Sequence, residues 1–149
     1  MWSEKEIRFV DSAKASFGNA ADLKMYHNAT NSYVENETGN LYILNKADDA
    51  DIVFQSDNGS GGVATYLTLD GSTTNSYFSG GNLGVGNTAP AAKLDVSGGV
   101  RMGDDLAAAS ATNVGTQRYR TATRSSFVEM CMQTGASTYT WEVIKENNW

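Results

Sequence analysis

The chain has 149 residues, enough for one ordinary domain, but only 40% are hydrophobic and that fraction includes many Ala and Tyr. A formal charge of −6 argues against a nucleic-acid binder, which carries a basic footprint, and the single cysteine, Cys131, excludes an intrachain disulfide framework or a cysteine-based zinc site. No apolar run reaches the ~18–20 residues of a membrane-spanning helix, so no membrane insertion is expected, and the charged start Met1-Trp-Ser-Glu-Lys-Glu6 lacks the apolar stretch of a secretory leader.

In chain order the first two-thirds reads as short strands parted by turn residues: Ile7–Val10, Leu23–Tyr26, Ser32–Glu35, Leu41–Leu44, Ile52–Gln55, Thr65–Leu69, Tyr77–Phe78, Leu83–Val85 and Lys93–Val96. With 15 glycines and one proline, Pro90, the turns fall to Gly, Asn and Asp, as at Asn28–Asn31, Asp57–Gly62 and Asp70–Ser72. Strand centres Met25, Val34, Ile43 and Val53 recur at intervals of 9, 9 and 10, a quasi-repeat that suggests stacked units of one strand and one turn. No apolar stripe of helical period is sustained. Asp104–Ala111 suits a helical turn or two or, equally, a small-residue linker, and either way it divides the chain near residue 103. Beyond it, Gly115–Thr121, Ser126–Gln133 and Thr138–Lys145 read as a meander, the last two joined by a hairpin loop at Thr134–Ser137. Tyr139, Trp141 and Val143 then share one face. The expected layout is a repetitive short-strand shaft over residues 1–103 and a β tip module, behind its linker or helix, over residues 104–149.

Such strands bury too little alone. Fixing a residue costs ~1–2 kcal/mol of backbone entropy, whereas two buried Leu or Val side chains return only ~3–6 kcal/mol per strand. Strands paired between copies would cover both the open edges and the apolar face. The expected fold is therefore all-β: an elongated, intertwined homotrimeric β-prism or fibre with a small C-terminal antiparallel β module. A two-sheet monomeric sandwich could close the same surfaces.

Chemical motifs are weak. Gly84-Val-Gly-Asn-Thr-Ala89 fits the dinucleotide spacing, but Pro90 and a new strand stand where the phosphate-binding helix is required, so it reads as a turn. His27, the only histidine, sits at a strand-to-turn step; facing a trimer axis, three copies of it could hold a metal ion, a possibility that elemental analysis tests. Asp48, Asp49 and Asp51 lack the spacing of a calcium loop. Cys131 alternates with Phe127 and Glu129, which suits a buried free thiol. No catalytic residue, metal site or cofactor is expected. Four of the five arginines lie in the last third, and Ala107–Val128 contains no acidic residue. Arg118, Arg120 and Arg124, with the late aromatics Tyr139 and Trp149, are accordingly the candidate receptor-binding residues, suited to a sugar carrying negative charge.

Phe17-Gly-Asn-Ala-Ala-Asp-Leu-Lys-Met-Tyr-His-Asn-Ala-Thr-Asn-Ser-Tyr-Val34, followed by Gly39-Asn-Leu-Tyr-Ile43, resembles a repeat of bacteriophage tail fibres, especially those of phages from aquatic bacteria. Leu83-Gly-Val-Gly86 through Pro90 to Lys93-Leu-Asp-Val96 is similar to the turn-rich segment that precedes their C-terminal portion. Gly115-Thr-Gln-Arg-Tyr119, Phe127 and Trp141-Glu-Val-Ile144 resemble a short β tip module of phage fibres and adhesins. The resemblance implies a non-enzymatic, homotrimeric virion protein, made in the host bacterial cytoplasm and used for attachment to a host glycan or lipopolysaccharide. Its expected partners are further copies of itself and other virion proteins. The family's self-cleaving C-terminal chaperone and long baseplate-docking domain have no counterpart here, which leaves a mature distal fragment, a small fibre docking on another, or a head decoration. A polysaccharide-degrading tail spike is the alternative of a different class, set against by the short chain, since such spikes need a long β-helix.

Overall fold

A computed structural model describes residues 6–148. Among them the fold is all-β, with no α-helix and one 3₁₀ turn at Ala111–Asn113. The strands are β1 (Lys14–Phe17), β2 (Leu23–His27), β3 (Ser32–Asn36), β4 (Ile52–Asp57), β5 (Val63–Leu69), β6 (Ser76–Phe78), β7 (Leu83–Val85), β8 (Leu94–Val96), β9 (Gln117–Ala122), β10 (Ser125–Gly135) and β11 (Thr138–Asn148). They form three antiparallel meanders, β1-β2-β3, β4-β5-β6 and β9-β10-β11, and one parallel pair, β7-β8. The chain divides into Met1–Gly80 and Gly81–Trp149, so the parallel pair goes with the C-terminal meander.

Side chains that can accept locally close the turns. The Asn28 side chain accepts from the amides of Thr30 and Asn31, Asn58 from Ser60 and Gly62, and Asp70 from Ser72 and Thr73. Each such bond replaces a ladder bond that the strand gives up at the bend. The β10–β11 turn is tighter than expected: Gly135 already pairs with Thr138, so Ala136 and Ser137 alone form the loop.

Three expectations change. Ile7–Val10 and Leu41–Leu44 belong to no ladder, while Lys14–Phe17, polar at alternate positions, does. Apolar and aromatic content favours a strand only where an edge lies within reach, and neither apolar segment finds one in this chain. Asp104–Ala111 forms no α-helix. Asp104 instead bridges to Tyr119, and the amide of Asp105 donates to the Tyr119 carbonyl, so a segment expected as helix or linker is stitched to the edge of β9. Nor do the centres at Met25, Val34, Ile43 and Val53 form one stack. Met25 faces Val34, Ile43 has no partner, and Val53 starts another sheet.

Register sorts the first meander cleanly. Ala15, Met25 and Val34 stand in a row, as do Phe17 and Leu23, on one face. Tyr26 stacks on Tyr33 at 4.8 Å on the other face, with Lys14 over Tyr26 and Lys24 bonded to Glu35 and Glu37. The Tyr26 hydroxyl beside Glu35, with Glu37 and Lys24 around it, holds that carboxyl down to about 2. The second meander likewise gathers Ile52, Phe54, Leu67, Leu69 and Phe78 on a single face.

These apolar faces are bare. Phe17, Met25, Val34, Phe54 and Phe78 are each about half exposed, and Cys131 is the one hydrophobic side chain fully buried among the described residues. A folded monomer of 16.0 kDa exposes about 7,400 Å², and two separate domains of half that mass about 8,900 Å² together. This chain exposes 11765 Å². Even counted as two small domains, it leaves about a third more surface in water than folded monomers of that mass expose on average.

Candidate functional site

The C-terminal meander holds the most buried cluster of charged and aromatic side chains among the described residues. Pairing of β9, β10 and β11 sets Arg120 opposite Phe127, Arg118 opposite Glu129, and Trp141 opposite Cys131, all on one face. Glu129 is 3% exposed and Arg118 7%. Arg118 Nε donates to Glu129 Oε2 at 2.7 Å, while Arg120 donates through Nη2 to Oε1 at 2.9 Å and through Nε to Oε2 at 3.2 Å. The guanidinium of Arg118 lies 3.8 Å from the centre of the Trp141 ring, and that of Arg120 lies 4.1 Å from the centre of Phe127.

The segment after Asp104 seals this face. The Ala107 carbonyl accepts from Arg118 Nη1 at 2.6 Å and from Trp141 Nε1 at 2.9 Å. Asp104 receives the Thr121 amide and hydroxyl, which lower its carboxyl below the ordinary value. The Cys131 thiol, buried and free, donates to Asn113 Oδ1 at 3.1 Å. Arg120, Arg118 and their charge likewise depress the Glu129 carboxyl, and Glu129 in turn raises Arg120. Both oxygens of the buried carboxylate are thus engaged, with Arg118 buried beside it and Arg120 about a quarter exposed.

The expected receptor-binding residues are accordingly dispersed. Arg118 and Arg120 come together, but around Glu129, which balances one of their two charges and leaves Arg120 about a quarter exposed. Arg124 occupies the exposed β9–β10 turn and forms no salt bridge among the described residues. Tyr139, half-buried, pairs with Gln133 at the other end of β11, about eight residues or ~27 Å along the strand from the Ser125–Asn148 pair beside Arg124. Trp149 lies outside the described residues. The signal missed in the sequence was Glu129 itself. It ends the acid-free run, and a strand partner with Arg at alternate positions is what a lone carboxylate on the same face would hold.

The opposite face of the meander borders a cleft of about 480 Å³ lined by Val100, Arg101, Met102, Tyr119 and Val128. Its arginine, Arg101, is in no ion pair among the described residues. A second cleft, of about 280 Å³, is lined by residues that include Asn45, Ile52, Leu69 and Asp70. No group of three or more His, Cys, Asp or Glu side chains able to hold a metal occurs among the described residues. His27 is exposed, on the apolar face with Met25, and its Nδ1 lies 3.1 Å from Ser32 Oγ. Asp51 accepts from the Gly71 amide. After β7 the Asn87 side chain accepts from the Ala89 amide and the chain turns into Pro90, so no helix follows the glycines. Comparison with protein-family models, with curated protein sequences and with solved structures finds no match to this chain.

Proposed function

We propose that the chain is a structural, self-assembling β segment of a phage virion appendage, a tail-fibre or spike component that serves attachment to the host surface and performs no chemistry of its own. One observation carries the reading. Two meanders present continuous apolar faces to water, and the chain exposes roughly a third more surface than even two independent domains of its mass. Association with further copies, three in the fibre reading, removes that surface. The attachment role rests on the resemblance of the repeat and tip segments to phage fibres. Weak contacts on several copies would then add through effective concentration.

A non-adhesive component, such as a head fibre, collar or decoration, is the second reading. The engagement of Arg118 and Arg120 by Glu129 favours it, because it buries Arg118 and leaves Arg120 only about a quarter exposed, two of the three arginines suited to an anionic sugar. Light scattering tests the assembly: a mass three times 16.0 kDa is expected, and a monomer at micromolar concentration overturns the reading. Retention of the labelled protein on whole host cells, lost on deletion beyond Gly103, supports attachment; no retention favours decoration. Release of reducing sugar from host polysaccharide would instead establish the enzyme.

A further inference from the structure

Leu41–Leu44 is the least explained segment of the molecule. Four consecutive large apolar residues are exposed by 46%, 70%, 59% and 68%, and they belong to no strand, helix or turn. None of their N–H or C=O groups has a hydrogen-bond partner among the described residues. Backbone groups left unpaired beside apolar side chains on both faces mark a strand without its sheet.

The same unit holds a matching vacancy. β3 pairs with β2 alone, so its outer edge, five residues long, is open. The row Ala15–Met25–Val34 stops at that edge with Val34 more than half exposed. An antiparallel strand with Ile43 opposite Val34 would continue the row. It would set Leu41 beside the Phe17–Leu23 row and place Tyr42 and Leu44 on the Tyr26–Tyr33 side. In its own chain the segment is led away: Asn36 Nδ2 donates to the carbonyls of Thr38 and Gly39, and Gly39 adopts φ +65°.

We infer that Leu41–Leu44 is an exchanged strand, which adds to the open β3 edge of a second copy of this chain with Ile43 opposite Val34. The occupant is a second copy because one chain carries both halves, of like length and with compatible faces. The surface left in water also exceeds the expected amount by more than the ~1,200–2,000 Å² that a stable interface buries. Passed from copy to copy, a strand donated and an edge accepted make a head-to-tail contact, which closes into a ring when the rotation permits.

The inference rests on the self-assembling reading above, and the test separates the two. Val34→Cys and Ile43→Cys are made in separate chains of different tag length, coexpressed, and oxidised mildly; Cys131 is fully buried and stays silent. With the two variants mixed one to one, about half of the chains are expected as a mixed Val34→Cys/Ile43→Cys disulfide, which is absent when either variant is expressed alone. A multimer by light scattering that forms no mixed disulfide overturns the exchange and leaves assembly standing. A monomer overturns both. A doubly substituted chain that closes its disulfide internally, at monomer mobility, also overturns the exchange, because the strand then folds onto its own sheet. Both positions are at least half exposed in the single chain, so the substitutions remove no core.

Discussion

Glu129 serves two guanidinium groups with two oxygens, and nothing else near it carries negative charge of comparable burial. Its replacement by Gln removes the charge between Arg118 and Arg120 and puts an NH2 donor where one of the two accepting oxygens stood. Glu129→Gln is therefore expected to cost about 3–5 kcal/mol of stability, read from urea midpoints; a change within a few tenths would contradict the network. The pH dependence has a definite sign. The folded carboxyl titrates below its ordinary value of 4.5, so its contribution is full above that pH and is lost as pH falls through the lowered folded value. The wild-type urea midpoint should fall over that acid range, and Glu129→Gln should fall less. At Gly84 the constraint is steric: a Cβ there would collide with the carbonyl group of Asn87. Gly84→Ala is expected to destabilise by about 1–3 kcal/mol in thermal or chemical unfolding, unless the turn opens. Little of this was legible in sequence. The acid-free stretch from Ala107 to Val128 pointed to free arginines, whereas the partner stood one residue beyond it, on a strand whose register sets it opposite Arg118.

Strands with alternating apolar residues and Asn/Gly/Asp punctuation were readable because both signals are local. Leu83–Val85 agrees with the expectation in full, and Leu23–His27, Ser32–Asn36 and Ile52–Asp57 differ only at their ends. The failures share a cause: ladder membership is decided by a neighbour. Lys14–Phe17 gains strand form from the β2 edge despite its mixed composition, and Leu41–Leu44 lacks an edge despite its apolar character. The parallel arrangement of β7 and β8 was equally hidden, since an eight-residue return with one proline leaves strand direction undetermined in sequence. A proline removes the amide that a strand donates, so Ile43→Pro tests the unpaired segment at this scale. The multimer should dissociate at concentrations where wild type is associated, while far-ultraviolet circular dichroism of the chain changes little. Unchanged association would assign the segment a different purpose.

For the molecule as a whole, the missing interior is the dominant fact. Among the described residues, one thiol, one threonine and an ion pair make up all that is buried. Stability drawn from neighbours obeys mass action, so the melting temperature should rise with protein concentration. Calorimetry over a hundredfold dilution checks this, and a constant midpoint would mean that the solitary chain holds itself together. The all-β class was legible because runs of β-branched and aromatic residues parted by Gly, Asn and Asp are local signals; the number of copies is not a property that a single chain displays. A topological consequence also follows from the strand counts. Three strands run antiparallel in each meander, and two run parallel in the pair, so the polypeptide quits every sheet at the end opposite to the one by which it arrived. None of the four sends it home. Modules with that property can follow one another in sequence, and a further one spliced between two of them would take the chain in at one end and hand it on at the other.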